Sequence, residues 1–481
     1  MKTLHRQSGL VASGCGVKVH CSRIAAKIRP EAVTEVFSQR KGVSILGGND
    51  SQGQANRFSV WAAGPREIFV ADCTAQDPLK DVQETVGKYR LDGRLPREWP
   101  TGMFCGGWIG YFSYDLDRFI EDIDKRAADD LHLPLIKLCF YDSFVCYDRA
   151  EDVWWIVALE MPEDGQRPAV KLASLAELLH KAQQIRIRES AAGDMDDIDI
   201  TRLGCNMSRD RYFDALERIG RHIYNGDVYQ INFSQRFERD FGGRAVDLYH
   251  WQNRHNESPY AAYIDAGDFA IVSASPEMFI TVRDRVISTK PIKGTRRRLV
   301  FGDNVERTNK FAFADLVESE KDQAELNMIV DLERNDLARI CVPGTRHVSM
   351  PRTIETYPTV FHAVATVEGR LRDDCGFSDI LRAMFPGGSI TGAPKIRAME
   401  IIDQLEPTQR GVYTGSIGYI GVDGGICLNI AIRTIIVKDG KAYAQTGGGI
   451  VADSVAADEW EETITKARAL LAGIEAVQGR L

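Results

Sequence analysis

Lys293 stands ahead of three arginines in PIKGTRRR (291–298), with Lys290 just before the proline, so residues 290–298 carry five cations. Two readings are open: a solvated basic turn, or a local anion site in which the Lys293 amine reacts. A nucleophilic lysine must be uncharged near neutral pH, so a pKa of ~10.4 has to fall by roughly three units, about 4 kcal/mol. Burial and neighbouring cations both act in that direction. Lys290, Arg296, Arg297 and Arg298 are the cations at hand.

Two further segments each present a pair of acids. Asp322 and Glu325 lie three apart in ESEKDQAELNMIVDL, as do Glu459 and Glu462 in ADEWEETITKARALLA. On a helix that spacing puts both carboxylates on one face. Each pair read alone is an ordinary solvated surface, and Glu462 with Lys466 makes a common i,i+4 ion pair. Facing one another, the two pairs would form a hard-oxygen site suited to Mg²⁺. QTGGGIVADS (445–454) has three glycines after a strand-like run, a backbone able to fold into an anion nest, and FPGGSITGAPK (385–395) opens a helix. Neither spacing is that of a nucleotide-phosphate or dinucleotide loop. His362, in YPTVFHAVATVEG, is either a core histidine or a catalytic one. Glu277, in SASPEMF, is either a turn acid or a general acid.

The elements that must position these groups read as α+β. Between about 15 and 185, strand-like runs such as RFSVWAAG, GGWIGYFSYDL and DVWWIVALE alternate with turns, and the helical stretch PAVKLASLAELLHKAQQI follows. ESAAGDMDDIDI (189–200) is acidic and rich in small residues, and residues 189–204 are expected to link a β-rich region (1–188) to a second region (205–481). There Ser208 is expected to cap a helix whose buried face carries Tyr212, Leu216, Ile219 and Ile223. Helices are also expected at roughly 314–340 and 456–472. Strands and helices mix without a βαβ period, which excludes a doubly wound sheet.

Composition narrows the function. The chain of 481 residues has a net charge of −8, so its basic cluster is local and suits a small anion, not nucleic acid. No apolar run approaches 18 residues, so no membrane helix is expected. The ten cysteines are scattered without a CxxC pair, as in a reduced cytoplasmic protein. The first 30 residues are basic and free of acids, so an organellar targeting segment stays open beside an ordinary N-terminus leading into a strand at VKVHC.

Taken in order, GDVYQINFSQRF, SASPE, PIKGTRRR, KDQAELNMIVDLERNDLARIC, TYPTVFHAVATVEG, FPGGSITGAPKIRAMEIID, GVYTGSIGYIG, NIAIRTI, TGGGIVADS and DEWEETITKARAL resemble the chorismate-utilising enzymes. These include anthranilate synthase component I, aminodeoxychorismate synthase component I, and the isochorismate and salicylate synthases. The resemblance covers about 205–475 closely, and reaches the N-terminal part through RFSV (57–60) and GGWIGYFSYD (106–115). It implies an anthranilate-synthase component I-like fold, with mixed sheets forming a sandwich-like core and helices outside. It also implies Mg²⁺ at Asp322, Glu325, Glu459 and Glu462, with Glu325 and Glu462 foremost. Chorismate would be held by Thr295, Tyr413, Arg433, the amides of Gly447, Gly448 and Gly449, and Lys466. His362 matches the active-site histidine and Glu277 the general acid.

Two positions bear on the reaction within that family. Where isochorismate and salicylate synthases carry a water-activating lysine, this chain has Gln230. Where anthranilate synthases read PIAGT, it reads PIKGT, as do aminodeoxychorismate synthases whose lysine attacks chorismate. The resemblance therefore implies amination of chorismate at C4 through a Lys293 adduct, serving p-aminobenzoate and folate synthesis. Ammonia would come from a separate glutamine amidotransferase subunit. Anthranilate synthesis is the alternative, and an inactive chorismate- or glutaminase-binding partner a third reading. The segment ILGGND (45–50) lacks the acid and serine with which relatives bind tryptophan.

Overall fold

The computed structural model describes residues 15–47, 57–162, 165–186, 204–300, 304–357 and 360–479. The basic extreme N-terminus, the acidic segment 189–200 and residues 48–50 of the ILGGND segment lie outside them. Among the described residues the chain builds two large, mostly antiparallel sheets, of 13 and 10 strands. The α+β expectation holds.

Neither sheet respects the expected division at 189–204. In the larger one, Ser44–Leu46 pairs with Phe58–Ala62 on one side and with Tyr260–Asp265 on the other. In the smaller one, Gly107–Phe112 pairs with Ser416–Gly421. Backbone ladders thus join the β-rich N-terminal region to the C-terminal half. Gly107–Phe112 at this joint, like VWWIVALE within the larger sheet, is a near-continuous apolar run because both of its faces are covered. Trp61 and Trp154 pack with ring centroids 5.3 Å apart inside the larger sheet's core.

The helices follow the local chemistry. Ser208 accepts from the Arg211 amide and starts Arg209–Tyr224, with Tyr212, Leu216 and Ile219 buried. The single helix expected near 314–340 is two, Val305–Glu318 and Glu320–Ala338. Ser319 breaks it: its backbone is extended (φ −64°, ψ 103°) and its side chain accepts from the Asp322 amide, restarting the helix. The C-terminal helix runs Ala456–Val477, past the expected end. Among the described residues no helix is long and apolar enough to cross a membrane.

A buried ion pair fastens the segments that later meet at the site. Arg410 Nη2 lies 2.7 Å from Glu406 Oε1 and donates to the Asn232 carbonyl at 2.6 Å. Its Nη1 donates to the Ile390 carbonyl at 3.0 Å, and Glu406 also accepts from the Ser234 amide and hydroxyl. Removing one partner of such a pair strands a charge in the interior. Arg410→Ala is therefore expected to lower unfolding stability by roughly 3–5 kcal/mol, read as a fall in the denaturant midpoint.

Candidate active site

Lys293 owes its position to a bulge. In the strand Ile292–Arg297, Ile292 pairs with Val364 and Thr295 with His362, so Lys293 and Gly294 together oppose Ala363. Two residues against one re-aim a side chain. Gly294 takes φ +87°, and a Cβ there would come within 2.8 Å of Asp322 Cγ and Leu316 Cδ1. The bulge directs the Lys293 amine across to the other sheet, where Nζ lies 3.7 Å from the Cβ position of Gly449. It also donates to the Ser389 carbonyl at 3.4 Å.

Burial pushes the Lys293 pKa down, and Lys466 helps, while Glu325, Glu277 and Glu462 oppose the shift. The cations expected to do this are engaged elsewhere. Lys290 pairs with Glu355, Arg296 with Asp315 and Asp322, and Arg298 donates to the Tyr357 carbonyl. Desolvation, not the arginine run, is what favours the neutral amine.

Glu277 is buried between the strands Phe269–Ser275 and Met278–Arg283. Burial raises its pKa, while its hydrogen bond with Ser389, the Lys293 charge and the Ile292 amide pull the other way. An acid shifted up and an amine shifted down stand side by side, the pattern of a proton donor beside a nucleophile.

The four acids do not converge as one cluster. Asp322 is bound by Arg296 at 2.9 Å, and Glu459 accepts from the Ser454 hydroxyl at 2.6 Å. Glu462 pairs with Lys466 at 2.6 Å. Burial works to raise the Glu462 pKa, but Lys466, Lys321 and Lys293 outweigh it and the net shift is downward. Among the described residues no group of three or more His, Cys, Asp or Glu side chains is arranged to hold a metal. What the geometry does provide is Glu325 and Glu462, both within electrostatic reach of Lys293. Two carboxylates fit Mg²⁺, which takes much of its shell from water and an anionic substrate.

The three glycines form no nest. Gly447, Gly448 and Gly449 lie in the extended strand Lys441–Ile450, paired with Ser234, Phe233 and Asn232. Close approach explains them: a Cβ on Gly447 would meet the Phe233 carbonyl at 2.4 Å, and one on Gly449 the Gln230 amide nitrogen at 2.3 Å. On its other edge this strand is paired only through Lys441–Ala444, so no neighbouring strand covers the glycine edge among the described residues. Lys466 donates to the Gly447 carbonyl at 3.0 Å. Gln230 is buried, and its Oε1 has no protein partner.

His362 and Thr295 are hydrogen-bonded, Oγ1 to Nδ1, at 2.8 Å. Burial, then Arg433 and Lys290, hold the His362 pKa down at about 3. Arg433, at φ +50°, is itself desolvated, and no ion pair to it occurs among the described residues. A buried guanidinium without an acid is a ready carboxylate site. Tyr413 is buried. Ser389 and Lys321 escaped the sequence reading. Ser389 sits inside the noted FPGGSITGAPK turn, and Lys321 directly precedes the noted Asp322.

The His362 shift has a definite sign. The unfolded chain protonates this ring near its ordinary value of 6.5 and the folded one near 3, so stability is lost as pH falls through that window. Once pH is below both values the loss is on the order of 5 kcal/mol. In a histidine NMR titration His362 is expected to stay neutral from pH 8 to 5.

A family model described as chorismate binding enzyme matches residues 49–472. Aminodeoxychorismate synthase component 1 of Bacillus subtilis is 39% identical over 386 residues, covering 80% of each chain. Anthranilate synthase component 1 of Pseudomonas aeruginosa is 39% identical over 411 residues, covering 84% of this chain and 80% of the relative. The crystal structure of anthranilate synthase component I from Streptococcus pneumoniae superposes with a TM-score of 0.70 at 31% identity, over 86% of this chain and 92% of that one. The chain belongs to the chorismate-binding enzyme family and is a chorismate-utilising enzyme.

Proposed function

We propose that this chain is component I of an aminodeoxychorismate synthase, converting chorismate and ammonia to 4-amino-4-deoxychorismate. The observation that carries the reading is the Lys293 amine, desolvated and aimed between the sheets beside Glu277. Anthranilate synthase component I relatives are as similar in sequence, so overall identity does not choose between the two reactions. The lysine does.

In the proposed sequence the neutral Lys293 amine attacks C2 of chorismate, the two conjugated ring double bonds shift, and the C4 hydroxyl leaves. Glu277 protonates that hydroxyl, so it departs as water. Ammonia then adds at C4 and the double bonds return, expelling Lys293 from C2. The proton lost by ammonia restores the acid. Splitting one displacement into two eases both. His362, held neutral, orients Thr295 at the ring without adding charge. Arg433, Tyr413 and the open edge of Gly447–Gly449 take the substrate's carboxylates, and Lys466 steadies that edge through Gly447.

Glu325 and Glu462 would hold Mg²⁺, with Glu459 behind Glu462 and Asp322 kept at the rim by Arg296. Bound there, the ion would neutralise a substrate carboxylate. A glutamine amidotransferase subunit would supply the ammonia, in keeping with the name component 1 carried by the relatives. A separate lyase would complete p-aminobenzoate for folate synthesis.

Incubation with chorismate, Mg²⁺ and an ammonium salt is expected to yield aminodeoxychorismate without pyruvate. Lys293→Ala should cut that product by roughly a hundredfold, ~2.7 kcal/mol of barrier. Release of anthranilate and pyruvate by the parent would place the chain with the other branch. Unchanged output from the variant would remove the covalent role.

A further inference from the structure

Beneath the site lies a carboxylate that the chemistry above does not use. Glu333, on the helix Glu320–Ala338, is 2% exposed and two turns beyond Glu325. Its Oε1 accepts from the Gly388 amide at 3.1 Å, while its Oε2 is buried with no protein partner. Burial first, then the neighbouring Asp336, push its pKa far up, against the pull of Lys395 and the Gly388 amide. Lys395 is committed to Asp336 at 2.5 Å and to the Met384 carbonyl. Glu333 therefore lacks a cation of its own and behaves as a neutral acid.

The Gly388 amide it grips opens the short turn Gly388–Ile390. The next residue, Ser389, serves both reacting groups: its carbonyl accepts from Lys293 Nζ at 3.4 Å, and its side chain helps to draw the Glu277 pKa down. The turn has little room to move. A Cβ on Gly388 would lie 2.5 Å from Leu332 Cδ2 and 3.0 Å from Glu333 Oε1. The Glu333 contact holds the N–H side of this turn, while Thr391 and Arg410 hold its carbonyls.

We infer that Glu333 is a positioning residue: through the Gly388 amide it holds Ser389, whose carbonyl and side chain align Lys293 and Glu277 together. This rests on the amination reading above. The neutral acid suits the task, because an ionised carboxylate at this depth would attract the Lys293 proton and disfavour the free amine.

Two measurements on the full chain test it. With chorismate and ammonium, Glu333→Ala is expected to lower kcat roughly tenfold with KM for chorismate held within about threefold, as misplacement of reacting groups does. Glu333→Gln, which keeps an acceptor for the Gly388 amide, should recover at least half of that loss. Without substrate, brief acetylation by acetic anhydride at one pH, read by peptide mass spectrometry, compares Lys293 with the exposed Lys310. The Lys293-to-Lys310 ratio should rise roughly threefold or more in Glu333→Ala as the loosened turn opens the amine. If Glu333→Ala does not fold, Gly388→Ala strains the same contact from the other side and should give the same rise. A parental labelling ratio in these variants, or a loss of activity that Glu333→Gln does not recover, would overturn the inference. The labelling arm needs no chorismate, so it stands apart from the identity of the product. A parent that makes anthranilate would defeat the amination reading while leaving the labelling comparison to decide the role of Glu333.

Discussion

A desolvated amine opposite a desolvated acid is the constraint on which the rest of the site depends. Lys293 and Glu277 are each disfavoured in their charged forms by burial, and each partly restrains the other's shift. Such a pair persists only if the surrounding fold is rigid enough to keep water out. That rigidity comes from strand ladders, a bulge and a buried ion pair, not from the basic run in which the lysine sits. Lys290 and Arg296 spend their charge on Glu355, Asp315 and Asp322, and so tie the outside of the strand to its neighbours.

The rest of the cavity divides labour by charge. Arg433 offers an unneutralised guanidinium, and the glycine edge offers backbone amides near Lys466. Glu325 and Glu462 supply negative charge, Glu462 beside that same Lys466 and Gly448. His362 contributes shape and a hydrogen bond while remaining uncharged. In the proposed reaction a small dianion would meet cations at its carboxylates and a neutral amine at its ring.

Much of this was legible in the sequence, for physical reasons that differ by element. The Ser208 cap and the face of Tyr212, Leu216 and Ile219 follow local rules and needed no tertiary information. The motifs that carry Lys293, Glu277, His362 and the acid pairs were readable because each is a contiguous run. What could not be read was partnership. Nothing local says that Asp322 belongs to Arg296, or that Gly447–Gly449 stay extended because a strand crosses too close for a nest. The break at Ser319 was locally coded and overlooked, since the apolar pattern runs on through it. Ser389 was hidden among glycines, its role arising only where the turn meets two distant strands.

The interleaving of N- and C-terminal strands carries a consequence for biosynthesis. Ser44–Leu46 leaves the ribosome early, yet one of its two flanking partners, Tyr260–Asp265, is made more than 200 residues later. The smaller sheet waits longer still, since Gly107–Phe112 needs Ser416–Gly421. Loop closure over such distances makes folding slow and leaves unpaired edges exposed during translation. The nascent chain therefore depends on shielding of those edges, and no partial product carries a working pocket.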